Sequence, residues 1–131
     1  MTWSEVFIVL LVCHLAGDFI LQTEWQALHK FSGLGRDPER RRALVLHVTT
    51  YSIPVVAALL LIGFDHGALR AVAAGVIVVA THLVQDDGRL LQSYVRRVKK
   101  TDAQFGTPLM IAIDQSFHIV WIFGAALVAA A

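Results

Sequence analysis

The chain has 131 residues, of which 56% are hydrophobic and 16% charged, against roughly 25% charged in a typical soluble domain. Its mean hydropathy is +0.64. Disorder is excluded, and a very apolar soluble bundle or a membrane protein remains. A net charge of +1 gives no global basic surface for nucleic acid. Cys13 is the sole cysteine, which excludes an intramolecular disulfide and a C-x-x-C metal site.

Four long apolar stretches follow one another: Trp3–Gln22, Ala43–Gly63, Ala68–Val84 and Leu109–Ala131. A spanning helix needs roughly 20 mostly apolar residues. The first stretch reaches that length with His14 and Asp18 inside it, and the third by running on to Asp86. Runs this long do not alternate with period two, so strands are not expected. The reading is an all-α polytopic membrane protein, one domain over 1–131. Its four transmembrane helices cover about 3–22, 43–63, 68–86 and 109–131. No basic segment precedes the first helix, so it does not read as a cleaved signal peptide.

Local signals agree. Pro38 and Glu39 open a turn feeding the second helix. Pro54, in mid-helix, is expected to kink it. Gly67, Ala71 and Gly75 form a small-residue stripe that lets another helix approach. Thr107 and Pro108 suit the N-cap and first position of the fourth helix. Between the third and fourth helices, Arg89–Lys100 reads as amphipathic. Leu90, Leu91, Tyr94, Val95 and Val98 share one face, and the basic residues lie largely opposite. It is either a helix resting on an anionic leaflet or a basic flank that sets topology.

Ten of the eleven Lys and Arg residues lie in loops one and three. The positive-inside rule therefore puts those loops in the cytoplasm and both termini outside.

Ionisable residues interrupt the apolar runs. His14 and Asp18 lie in helix one, His47 in helix two, His82 and Asp86 in helix three, Asp114 and His118 in helix four. Each such residue costs roughly 2.5–3.5 kcal/mol on insertion scales, which makes it a functional candidate. Asp18, Asp86 and Asp114 each have a His four residues away, on the same helix face. With the topology above, all seven fall within about 15 Å of the cytoplasmic boundary, at about 1.5 Å per residue. Four His and three Asp in one layer suit one or two ions of zinc, manganese or iron. Asp side chains can alternatively orient His ligands through their second ring nitrogen. Gln22 continues the His14–Asp18 face, and Arg89 is placed to pair with Asp86 or to bind a phosphate. Both are candidate substrate-binding residues. Gln85 and Gln115 are expected to point off the shared face. Cys13 reads as a packing residue, and His29 and His66 as loop residues outside the layer.

The segment from His14-Leu-Ala-Gly-Asp18 through Gln22 resembles the opening signature of a small bacterial membrane family, domain-of-unknown-function family 3307. Three later segments extend the resemblance across nearly the whole chain: His47-Val-Thr-Thr-Tyr51, Thr81-His82 with Asp86, and Asp114-Gln115-Ser-Phe-His118. It implies a site of the family's type and a bacterial inner membrane, and supplies no reaction. In style the motifs are also similar to those of membrane-bound metal-dependent hydrolases.

The first functional reading is a metal-dependent hydrolase of a lipid or phosphoester, with His14, Asp18, His47, His82, Asp86, Asp114 and His118 as ligands. One of Asp18, Asp86 or Asp114 would be the general base. The expected partners are the bilayer and an anionic lipid substrate, with no nucleic acid. A homodimer suits so thin a bundle. Three alternatives use the same layer: a transporter or proton relay, a haem or di-iron redox protein, and a structural accessory subunit.

Overall fold

Side-chain caps set where the helices begin. In the computed structural model, which describes all 131 residues, the chain is helical without strands. Thr2 caps helix α1 (Trp3–Leu15) in a reciprocal capping box with Glu5. The chain then widens into a π-helical turn, Ala16–Ile20, closed by Leu21 N donating to Ala16 O. Thr23 caps a short helix α2 (Glu24–His29). Asp37 accepts from the amides of Glu39 and Arg40 and, with Pro38 in the first turn, starts α3 (Pro38–His66). Helix α4 (Ala68–Asp87) follows after Gly67 alone and ends at Gly88, which is left-handed at φ 76°. Helix α5 (Arg89–Tyr94) continues into a second π-helical turn, Val95–Lys99. Thr107 caps α6 (Pro108–Ala130).

These boundaries differ from the expected ones in two places. The first long helix is α-helical only to Leu15, because the π turn inserts an extra residue per turn before Asp18. The second starts at Pro38 rather than near Ala43, since the Asp37 cap extends it through exposed Arg40, Arg41 and Arg42. Pro54 lies within an unbroken α3.

The four long helices close a ring in the order α1, α3, α4, α6, each neighbour antiparallel. Val6, Leu10, Val55, Ile62, Val78 and Ile122 fill the centre, with five buried alanines of α4 and α6 letting backbones approach. Gly75 faces Leu59 of α3 within the small-residue stripe. The outward faces are apolar as well: Ile53, Phe64, Leu69 and Val120 are exposed. A soluble protein rarely leaves so much apolar surface bare. All four long segments are long and apolar enough to cross a membrane. The ring brings the end of α1, the start of α3, the end of α4 and the start of α6 to one end of the bundle. The two basic loops are at that end too.

Gly17, in the first π turn, lies against Tyr51. A Cβ there would meet the Tyr51 ring at 2.5 Å and its Cα at 3.2 Å. At Gly75 the clash is with the tip of Leu59, which can rotate. Gly17→Ala is therefore expected to destabilise the protein by about 1–3 kcal/mol, the usual range for overpacking. Gly75→Ala should cost clearly less. Thermal unfolding of both variants in detergent checks the order.

Candidate metal centre

Helical spacing and ring closure together assemble the site. His14 and Asp18 stay on one face across the π turn, with Nε2 and Oδ2 3.6 Å apart. His82 and Asp86 do so on α4, at 3.3 Å. On α6, His118 Nδ1 lies 3.6 Å from Asp114 Oδ1. His47 enters from α3, one turn after its exposed arginines. His14, His47, His82 and His118 are all buried. All seven residues of the predicted layer thus come together.

The centre of the layer is a tetrad of two imidazoles and two carboxylates. His47 Nε2 lies 2.6 Å from Asp86 Oδ2 and 3.4 Å from Asp18 Oδ1. His82 Nε2 lies 3.3 Å from Asp86 Oδ2 and 3.4 Å from Asp18 Oδ1. The two Nε2 atoms are 3.1 Å apart. An ion about 2.0–2.1 Å from four tetrahedral ligands sets those ligands about 3.3 Å from one another. Most edges of the tetrad already match that value. Asp18 Oδ1 makes no hydrogen bond although it is buried. These residues can hold a divalent ion.

Two further groups adjoin the tetrad, Asp86 with Asp114 and His118, and Asp18 with His14 and His118. His118 Nδ1 donates to the Asp114 carbonyl at 2.9 Å, which leaves Nε2 with a free lone pair. That buried Nε2 has no hydrogen-bond partner and lies 3.5 Å from Asp86 Oδ1. His14 is differently placed. Its Nε2 donates to Gln115 Oε1 at 2.9 Å, and its Nδ1 faces the Tyr51 hydroxyl at 3.2 Å. Both ring nitrogens of His14 thus have a neighbour in the layer.

Three contributors lie outside the predicted set. Tyr51 stacks on His82 with ring centroids 3.5 Å apart and roofs the layer toward the apolar core. The Nδ1 atoms of His47 and His82 have no hydrogen-bond partner, so packing rather than a second hydrogen bond orients these rings. Gln115, expected off-face, also donates from Nε2 to Asp18 Oδ2 at 3.1 Å. Because α6 packs on both α1 and α4, its inward face is wide enough for Asp114 and Gln115 together. Lys30, just past α2, donates to Asp86 Oδ2 at 2.7 Å and to Gln22 Oε1 at 3.1 Å. The repeated four-residue step from His47 to Tyr51 was a usable signal for the tyrosine. No local pattern marks Lys30, 56 residues from its partner.

Arg89 does not pair with Asp86. The left-handed Gly88 turns it to Asp87, where Nε donates to Oδ2 at 2.6 Å. That contact pushes the guanidinium pKa further up. Asp87 is itself buried and ties down the first loop, accepting from Leu34 N at 2.8 Å. Gln22 lies in the wall of a cavity of about 260 Å³. Asp18, Lys30, Asp86, Asp114 and Gln115 form its polar side, and Phe19, Phe105, Met110 and Ile111 its apolar side. His29 stacks on Trp25, and His66 lies beside Asp65, both away from the layer.

No curated protein and no solved structure matches the chain. One family model does, described as "Protein of unknown function (DUF3307)", and it matches residues 6–130. That span takes in the four long helices, apart from the first three residues of α1, and every residue of the tetrad, so the chain belongs to the DUF3307 family.

Proposed function

We propose that this protein is a metal-dependent hydrolase of the bacterial inner membrane, acting on a lipid or phosphoester at the cytoplasmic end of its bundle. The observation that carries the reading is the His47–His82–Asp18–Asp86 tetrad, spaced for a tetrahedral ion beside a cavity with one polar and one apolar wall. The basic loops at the same end support the orientation, by the positive-inside rule.

The chain's own groups take distinct roles. His47, His82, Asp18 and Asp86 hold the ion. When bound, a divalent cation supplies Lewis acidity, polarising an ester or phosphoryl oxygen and acidifying water. Asp18 and Asp86 are committed to the tetrad, so Asp114 is the carboxylate left for general-base work. It lines the cavity with a side chain 23% exposed. Asp114 accepts the proton of the attacking water and returns it to the departing oxygen. The Lys30 ammonium, paired with Asp86 in the same wall, offers its remaining N–H to an oxygen of the substrate. Gln115 and Tyr51 hold Asp18, His14 and His82 in place. A transport path would need polar groups beyond the layer, whereas the core there is apolar from Leu10 to Ala129.

Protein purified without chelators should carry stoichiometric zinc, manganese or iron by elemental analysis. His47→Ala and Asp86→Ala should each weaken metal binding roughly tenfold or more, since even residues that only support a ligand are worth that much. Wild-type protein devoid of metal would overturn the proposal. A second expectation separates ligand from base. Asp114→Asn should keep the tetrad's ion yet lose about a hundredfold or more of phosphatase or esterase activity, the usual worth of a positioned base. Full activity in that variant would remove Asp114 from the chemistry.

A further inference from the structure

A second hollow lies across the α4–α6 seam from the metal cavity. It is a groove of about 470 Å³, nearly all apolar, walled by α4, α5 and α6. Leu90, Leu91 and Tyr94 of α5 form its floor, with Val84 on one side and Phe117 and Trp121 on the other. Gln85 belongs to both hollows. Its Nε2 donates to Thr81 O at 3.0 Å, and its buried Oε1 has no hydrogen-bond partner. One uncharged side chain thus borders both an apolar groove on the outer surface and a polar cavity holding Lys30, Asp86 and Asp114. On the other side, α5 and the π turn after it are cationic: Arg89, Arg96 and Arg97 gather around Gln92 and Ser93.

These features have the polarity sequence of one kind of molecule. An apolar groove suits a hydrocarbon chain, the amide at Gln85 suits an ester linkage, and a polar cavity that would hold a divalent ion beside Lys30 suits a phosphate head. We infer that the groove holds an acyl chain of an anionic phospholipid, whose head group passes the Gln85 seam into the metal cavity beside Lys30. The inference rests on the hydrolase reading and names the substrate class of that same site. The groove admits the chain sideways from the bilayer, so the substrate need not leave the membrane. Gln85 is the positioning residue of the seam.

The test reads lipid and metal separately. The full chain is purified in detergent with phosphatidylglycerol, washed, and examined by native mass spectrometry and by elemental analysis. Ala80 lines the groove and is exposed, so Ala80→Trp fills it without touching the core. Leu60→Trp, on a different exposed face, is the control. The expected result is about one retained phosphatidylglycerol per wild-type and Leu60→Trp chain, and about tenfold less on Ala80→Trp, which is some 1.4 kcal/mol of binding. Metal content should be equal in all three. Equal lipid on Ala80→Trp and wild type overturns the inference, as does a metal-loaded wild type that keeps no lipid. Should Ala80→Trp lose metal through misfolding, Val84→Trp at the same wall decides by the same criteria. Lipid retention without any metal would sink the hydrolase reading and leave the groove assignment standing.

Discussion

Two buried carboxylates facing the same two imidazole nitrogens are the constraint on which this bundle depends. Asp18 and Asp86 come from different helices, yet both lie within 3.4 Å of His47 Nε2 and His82 Nε2. Buried charge is costly unless paired. Lys30 supplies one positive charge, and of the two carboxylates it pairs with Asp86. Asp18 Oδ1 has no hydrogen bond at all. The two facing Nε2 atoms would repel if both presented lone pairs to each other across 3.1 Å. A cation at the centre would resolve all three conflicts together: it would neutralise the second carboxylate, satisfy Asp18 Oδ1 and accept both lone pairs.

The fold serves that centre through close approach. Gly17 lets the π turn come against Tyr51. Tyr51 can then stack flat on His82 while its hydroxyl meets His14 Nδ1. His14 passes the contact to Gln115, and Gln115 to Asp18. A side chain added at Gly17 would therefore disturb packing and site in one move. Loop one is secured in the same manner by Asp87, which accepts from Leu34 N and, through its carbonyl, from Ser32 N. That loop carries Lys30 to the cavity.

The four helices and the His–Asp layer were legible because both follow from short-range rules. Apolar length marks a span, and a four-residue step keeps His14 with Asp18, His82 with Asp86, and Asp114 with His118. The legible part stops where the chain leaves regular geometry. The π turn ends the first helix early, and Gly88 swings Arg89 to Asp87 instead of Asp86. Gln115 was misplaced because a wheel drawn for one neighbour ignores that α6 packs against two. In the sequence Lys30 is one more cation of a basic loop. Its role exists through the folding back of α2 onto α3, a tertiary event that no local pattern encodes.

Residue size is distributed unevenly along the bundle, and that asymmetry limits what the site can do. At the end away from the layer, Ala58, Ala71, Ala74, Ala125 and Ala129 sit in the core. Small side chains there let the helices close tightly. The Met1 amino group and Asp65 pair at this closed end. At the other end the interior is filled by imidazoles, carboxylates and Met110, and the helices leave room for the cavity. Tyr51 marks the border between the two regimes. The cavity therefore opens at the end that holds the layer. A centre reached in that way suits chemistry on a molecule that arrives and departs on the same side. Carriage of an ion across the membrane would require the alanine-packed half to part, at the cost of the contacts that hold the ring closed.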